Sequence, residues 1–587
     1  MFVQEWSEKL TSRVKRQFMM SPLWTGAAGR GLKWEEAVLD RLSIQEAVDQ
    51  MDEASAAVLR AFYNCFGAGP VSEERFFSLR QRFSGAEFRY GLIQLQNAGL
   101  VFALRQGWGE RLYAMPSDCF MLWHPYLFPI GQLPEADRMS VWEQRQEDMA
   151  LQPLGRQLLA VWAELARNGS GLTAKGVLPK KTTAKLMQAA SVTDSDLLQA
   201  GWQQEETDPY NPAVSFMLKL SGQLGVLVNE KKLLRWETQT LAAWFSKEEL
   251  FREALLFQWC LNELLYKKPA MWHVMALLTR LEPGIWYSDA ALSDQLCQLD
   301  LQGMEWDQSR NACLKLLRGF GWMELAWAGE NKMLRWTIMP QLLYQKQRPP
   351  ERPEPIMIEP NGDLLVPPGC PYRIRWELEL VAERKSDDYM SVWQLTRSSI
   401  ERAIAHGRSV ASIMALLQSA SGGTPISPLL ASSLTDWGKQ TEADKKPLAD
   451  AYPELSLEYP SAEFGFPLRS SEREFTGCEL MNHEDFRIER FLPELERVPI
   501  NWMQQFRSYH HSTRLEILER ALSWQAPVQL RMNDNTVAFV PARLERSGNG
   551  WTVTGVLREA ETHREVCLSP EMWEGMKLVA PGVSGFV

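Results

Sequence analysis

No stretch of this 587-residue chain approaches eighteen consecutive apolar residues, so no segment reads as a bilayer span. The opening residues, Met1 to Trp6, are amphipathic and lack the basic, apolar and small-residue regions of a secretory signal. The expected compartment is therefore the cytoplasm. Eight cysteines, at positions 65, 119, 260, 297, 313, 370, 478 and 567, form no C-x-x-C pair, which removes zinc ribbons and thioredoxin-like chemistry. They read as buried thiols of a reducing compartment. An excess of positive charge is missing too: the net charge is −10, so the chain does not coat nucleic acid through bulk charge, and any such contact rests on local basic patches.

Catalytic signatures are equally scarce. The one Gly-Lys pair, Gly438-Lys439, has Ser433 where a phosphate loop needs its first glycine and Gln440 where it needs Ser or Thr. There is no G-x-G-x-x-G, no H-E-x-x-H and no G-x-S-x-G, and the chain has seven histidines in all. The expectation is a non-enzyme with no cofactor and no metal. His483-Glu484-Asp485 lies in an acidic, proline-containing stretch where solvated charge explains it better than metal ligation. In Tyr509 to Arg514, Ser512 or Thr513 reads as the cap of a helix that leaves His510 and His511 outside.

What the chain does have is length, tryptophan and order of elements. At about 150 residues per domain it holds roughly four modules. Its 24 tryptophans point to large rings in small cores or against partners. From Leu42 to Pro116 three amphipathic helices precede a short strand pair after Gly99, the order of a winged helix. The same order returns over 271–339, with Cys313 to Leu317 as third helix and Gly321 before the strands.

Between them, residues 141–268 read as a helical block. It holds the most basic short segment, Leu172 to Leu186, with Lys175, Lys180, Lys181, Lys185 and no acid. Thr182 and Thr183 are placed to cap a helix there, its amino end toward phosphate.

The Pro-rich run Lys346 to Pro355 reads as a semi-rigid linker. After it come strands at 356–358 and 364–366, a helix over 373–383, a strand at 390–395 and helices at 397–405, 409–419 and 427–437. An acidic linker follows over 441–500, and the last ninety residues read as one helix and several short strands of a small antiparallel barrel. The fold class expected is multi-domain α+β: mostly helical winged-helix modules, a mixed α/β domain and a C-terminal antiparallel β-barrel. The boundaries expected are 1–140, 141–268, 269–345, 346–440, 441–500 and 501–587.

The stretch Ile358 to Trp437 resembles the N-terminal domain of XPB-type DNA-repair helicases and of bacterial helicase-associated proteins. The residues that carry this are Leu365-Val366-Pro367-Pro368, Leu378-Glu379, Val392 to Thr396, then Ser399, Ala403 and Gly407, with Ile413, Leu416-Leu417 and Asp436-Trp437. The run Leu172 to Lys180 is similar to the same bacterial proteins, so the resemblance extends over about residues 40–440. It implies DNA-associated work without ATP hydrolysis, because both the phosphate loop and an Asp-Glu-x-His box are missing. In that setting Thr396 caps a helix whose Arg397, Ser399 and Arg402, with Arg408 beyond it, are the expected phosphate contacts.

Arg514 to Lys577 resembles a WYL-type domain in its order of Phe539-Val540-Pro541, Gly550-Trp551, Gly555 and Trp573, with Trp551-Thr552-Val553 in place of the signature. The partner expected is DNA, with a separate helicase or nuclease as a further partner and no membrane. The alternative function is a protein–protein scaffold that recruits such an enzyme without touching DNA.

Overall fold

The computed structural model describes the chain except residues 80–83, 108, 132, 134–150, 231–232, 266–267, 300–304, 345–351, 388–389, 443–451, 454, 456–477, 482–491, 534, 548–549, 559–562 and 583–587. Two compact units emerge: Met1–Pro129 with Glu472–Val587, and Ile130–Ser471. Most of the acidic stretch, His483-Glu484-Asp485 included, lies outside the described residues.

One supersecondary unit recurs three times. Its first copy is α1 (Glu53–Phe66), β1 (Val71–Ser72), α2 (Glu73–Phe77), α3 (Gly85–Asn97), β2 (Phe102–Arg105) and β3 (Arg111–Ala114), with β1 paired to β3 and β3 to β2. Asp52 starts α1 by accepting from the Ser55 N–H at 2.9 Å, and Ser84 with Glu87 forms a capping box on α3.

The second copy is not visible as such in the sequence, which reads there as a mostly helical block. It comprises α4 (Leu154–Asn168), α5 (Lys180–Ala189), α6 (Asp194–Ala200), α7 (Pro212–Gln223) and a hairpin of β4 (Leu227–Glu230) and β5 (Leu233–Trp236). A single bridge from Gly171 to Leu233 takes the place of the short first strand. The long helix α8 (Glu249–Leu264) follows.

The third copy is α9 (Pro269–Leu278), β6 (Tyr287–Ser288), α10 (Asp289–Gln298), α11 (Trp306–Gly319), β7 (Met323–Ala328) and β8 (Asn331–Trp336), with sheet order β6-β8-β7.

A glycine closes the last helix before the hairpin of each copy in the same way. Gly99, Gly225 and Gly321 have φ of 69°, 70° and 66°. The next residue's N–H reaches back five positions in each, from Leu100 to Leu95, Val226 to Ser221 and Trp322 to Leu317, so a left-handed residue turns the helix into its strand. The surroundings differ. A Cβ on Gly225 would meet its nearest neighbour, Thr240 Cγ2, at 3.8 Å, whereas one on Gly321 would lie 2.3 Å from the backbone oxygen of Gln152. Gly225→Ala is therefore expected to cost about 1 to 2 kcal/mol, the left-handed penalty alone. Gly321→Ala should cost clearly more, and chemical denaturation of the two variants side by side checks the order.

Beyond the repeats the unit Ile130–Ser471 continues with β9 (Met357–Ile358), β10 (Asp363–Val366), α12 (Tyr372–Val381), β11 (Glu383–Asp387), β12 (Ser391–Gln394), α13 (Arg397–Ala405), α14 (Val410–Ala420) and α15 (Pro428–Glu442). The antiparallel sheet runs β11-β12-β10-β9. The helix expected over 373–383 ends two residues early, because Glu383 to Asp387 pairs with β12 as a further strand. Helix α4 is the spine of this unit. From it Arg156 donates to the Pro368 carbonyl at 2.7 Å, and Arg167 reaches Glu379 of α12 at 3.1 Å. Trp376 of α12 is fully buried against Trp236, Phe245 and Tyr452, joining the second repeat to the mixed segment.

In the other unit β13 (Glu479–Leu480) extends the first hairpin by pairing with β2. Helix α16 (His511–Trp524) then packs on an antiparallel sheet of β14 (Val528–Met532), β15 (Asn535–Ser547), β16 (Gly550–Arg558), β17 (His563–Leu568) and β18 (Gly575–Leu578), in the order β17-β16-β15-β14-β18. The cap of α16 is the His510 ring rather than Ser512 or Thr513, so the helix starts two or three residues earlier than expected and takes in His511. Cysteines 119, 260, 313 and 370 are buried as expected, but Cys297 and Cys567 are exposed and Cys65 and Cys478 half-buried. Among the described residues no helix is long and apolar enough to cross a membrane.

Candidate nucleic-acid interface

The basic segment forms a tight turn followed by α5. The Thr173 N–H donates to the Val177 carbonyl and the Gly176 N–H to the Thr173 carbonyl, each at 2.8 Å, which puts Lys175 at the tip. Tyr210 fixes the far side by accepting from the Leu178 N–H at 2.8 Å. Lys180 and Lys181 are the first two residues of α5 and are exposed, with Pro179 in the cap position and no acid in the first turn. Thr182 and Thr183 do not cap. They sit inside the helix, Thr182 buried and Thr183 donating to the Lys180 carbonyl. Lys185 is half-buried and donates to Asn168 Oδ1 at 2.7 Å. Among the described residues no acid pairs with Lys175, Lys180 or Lys181. Two lysines at a helix amino end oppose the helix dipole, each unfavourable by about 0.3 to 1 kcal/mol.

The arrangement around α13 differs from the sequence expectation. Thr396 caps the helix as anticipated, accepting from the Ser399 N–H at 3.1 Å. The amino end, however, already has an anion. Glu383 Oε1 accepts from Thr396 Oγ1 at 3.0 Å and from Ser398 Oγ at 2.8 Å, and these hydroxyls, Ser398 foremost, hold its carboxyl below the usual range. Phosphate would meet that carboxylate. Ser399 is fully buried, its hydroxyl donating to the Val381 carbonyl at 2.7 Å. Arg402 donates to the Leu380 and Ala382 carbonyls at 3.1 and 3.3 Å, closing the end of α12. Arg408 is buried and bidentate on Glu377, 3.0 Å to each oxygen. Arg397 alone of the four projects, 56% exposed and paired with Glu401 at 2.8 Å. Of the eight residues expected at the interface, Ser399, Arg402 and Arg408 are thus engaged in holding the fold.

Residues 356–442 match the family model described as helicase conserved C-terminal domain. The matched segment is β9 through α15, so the sheet and the helix that Thr396 caps both fall inside it. No curated protein matches the chain.

A basic surface that the sequence reading passed over lies on the third repeat. In α3 no residue is exposed: Ala86 belongs to the core of the C-terminal sheet, Glu87 pairs with Arg558 at 2.9 Å and Arg89 donates to Gln525. In α7 only Gly222 is exposed, and Lys219 pairs with Glu263. Helix α11 is different: Asp307, Gln308, Asn311 and Lys315 are all exposed. With Arg318 they form one helical face. Asp289 draws two further cations to its edge, Arg310 at 3.3 Å and Lys332 of β8 at 4.0 Å. Burial first, and then the charges of Arg310, Lys315 and Arg318, push Lys332 below the ordinary lysine range against the pull of Asp289. The sequence signal was Lys315-x-x-Arg318 on the polar side of a helix otherwise read for its apolar stripe.

Proposed function

We propose that the chain is a non-enzymatic DNA-binding accessory or regulatory protein whose three repeats are winged-helix modules. In this reading the matched segment is related to the non-motor part of XPB-type repair helicases, and residues 514–577 form a WYL-like module. The observation that carries it is the pair Lys180 and Lys181, exposed, without acidic partners among the described residues and set against the dipole of their own helix. Such a placement costs folding energy that an anionic ligand would recover. The absence of a phosphate loop from the sequence supports work without ATP turnover.

Salt-titrated binding to single-stranded, duplex and forked DNA tests this reading. Lys180→Ala with Lys181→Ala is expected to weaken binding about equally across sequences and to flatten the salt dependence by roughly one to two units of slope. An unchanged slope assigns these lysines to a solvated turn. The second reading, a scaffold that docks a separate helicase or nuclease, is favoured by the internal engagement of Arg402 and Arg408 and by the net charge of −10. Absence of DNA binding at low salt by the intact protein would make it the better one.

A further inference from the structure

Among the described residues Trp327 is the one tryptophan that is exposed, at 47%. The others are buried or half-buried, Trp322 and Trp336 of the same sheet fully so. An indole left in water near the end of a hairpin is unfavourable for folding by the area it fails to bury. Its neighbours are specific. Trp327 lies directly opposite Lys332 in the β7–β8 ladder, two pairs beyond Met323–Trp336 by way of Leu325–Leu334. By strand alternation Trp327 and Lys332 share the side of the hairpin on which Leu334 and Trp336 meet the helices. That is also the side of Arg310, since Asp289 of α10 binds both Arg310 and Lys332. The exposed ring and the cations of α11 thus belong to one surface. Asp289, shared by Arg310 and Lys332, and Asp307, held by Arg310, are acids of this surface, and Lys315, Arg318 and Lys332 are its cations beside the ring.

Cations alone fit any phosphate backbone, and a solvated helix end often carries them. The flat ring changes the chemistry. A stacked base inside a duplex offers no free face, whereas an unpaired base does, and an aromatic side chain flanked by cations is how single strands are held. Resting on the DNA-binding reading above, we propose that the outward face of α11 and the Trp327 end of the hairpin dock a junction between duplex and single strand. Lys315, Arg318 and Lys332 hold the phosphates of the duplex, and Trp327 stacks on the first unpaired base.

The test is anisotropy of labelled DNA with the full chain, comparing a blunt duplex with the same duplex carrying a single-stranded overhang. The intact protein should favour the overhang substrate about tenfold or more, the worth of one stacked base. Trp327→Ala should abolish that preference while leaving blunt-duplex affinity unchanged, and Trp327→Phe should restore most of it. Lys315→Ala with Arg318→Ala should weaken both substrates and lower the salt slope by roughly one to two. Equal affinity of the intact protein for both substrates, or a preference that survives Trp327→Ala, overturns the junction site while the DNA-binding reading stands. Absence of binding to either substrate at low salt overturns both. Melting temperatures close to the parent protein are expected for the Trp327 variants, because that side chain is exposed.

Discussion

Replacing Glu379 with alanine is expected to cost about 1.5 to 3 kcal/mol, the worth of charged hydrogen bonds made by a buried carboxylate to cations that are themselves half-buried or exposed. Glu379 is 3% exposed and takes Arg167 of α4 at 3.1 Å on one oxygen and Arg384 of β11 on the other. Arg167 also bonds the Glu379 carbonyl and Glu164, and Arg384 lies over the Trp393 ring at 5.1 Å. One carboxylate therefore ties the spine helix to both the helix and the sheet of the helicase-like segment. Without it Arg167 keeps Glu164, and both arginines lose the carboxylate that joins them. Arg397→Ala is the control: its exposed pair with Glu401 is worth about 0.5 kcal/mol or less. Because the chain has two units, the readout is the transition assigned to Ile130–Ser471 by hydrogen exchange, not one global midpoint. A loss under about 1 kcal/mol would mean that Glu164 and water suffice for Arg167 when the carboxylate is gone.

How far the sequence carried varies with the reach of the interaction involved. Helix α13 was bounded correctly over 397–405 because its cap, Thr396, is local chemistry. The first and third repeats were visible through three apolar helical stripes and a glycine before two strands. The second was not, since its first strand is reduced to the Gly171 bridge and the hairpin at Leu227 to Trp236 is short and polar at its centre. The shared signal was Leu224-Gly225-Val226, which repeats the left-handed stop of Gly99 and Gly321. Interface residues fared worse for a different reason. Whether an arginine is available depends on acids far along the chain: Arg408 meets Glu377 across 31 positions, and Thr396 meets Glu383 across 13. Periodicity says which side of a helix is polar, but not which polar groups find partners there. Lys180 and Lys315 remain available because no carboxylate among the described residues pairs with them, a fact of tertiary packing.

Raising the pH from about 5 to about 8 is expected to destabilise Ile130–Ser471 through Glu253 by about 3 kcal/mol. Glu253 is fully buried in α8, its Oε1 accepting from the Gly155 N–H at 2.9 Å and its Oε2 from the Trp322 indole at 2.6 Å. Burial raises its carboxyl from the ordinary 4.5 to about 7, the Trp322 bond pulling the other way and Glu249 adding to the rise. Since the folded value is the higher one, the folded state binds more protons between the two, and stability falls as pH rises through that window. Below the ordinary value both states are protonated, and above the raised one both are ionised, so the slope is confined between them. Asp118, raised to about 6 by burial, tilts the other unit the same way, which is why the comparison is with Glu253→Gln rather than with a flat line. Glutamine is uncharged like the protonated acid but has one accepting oxygen, so it gives up the bond from either the Gly155 N–H or the Trp322 indole at every pH. The variant should lie below the parent near pH 5 by the lost hydrogen bond and gain on it progressively toward pH 8. Denaturant titrations of both proteins across that range measure the difference directly. A gap that does not change with pH would show that Arg252 and the two hydrogen bonds hold the carboxylate ionised in spite of its burial.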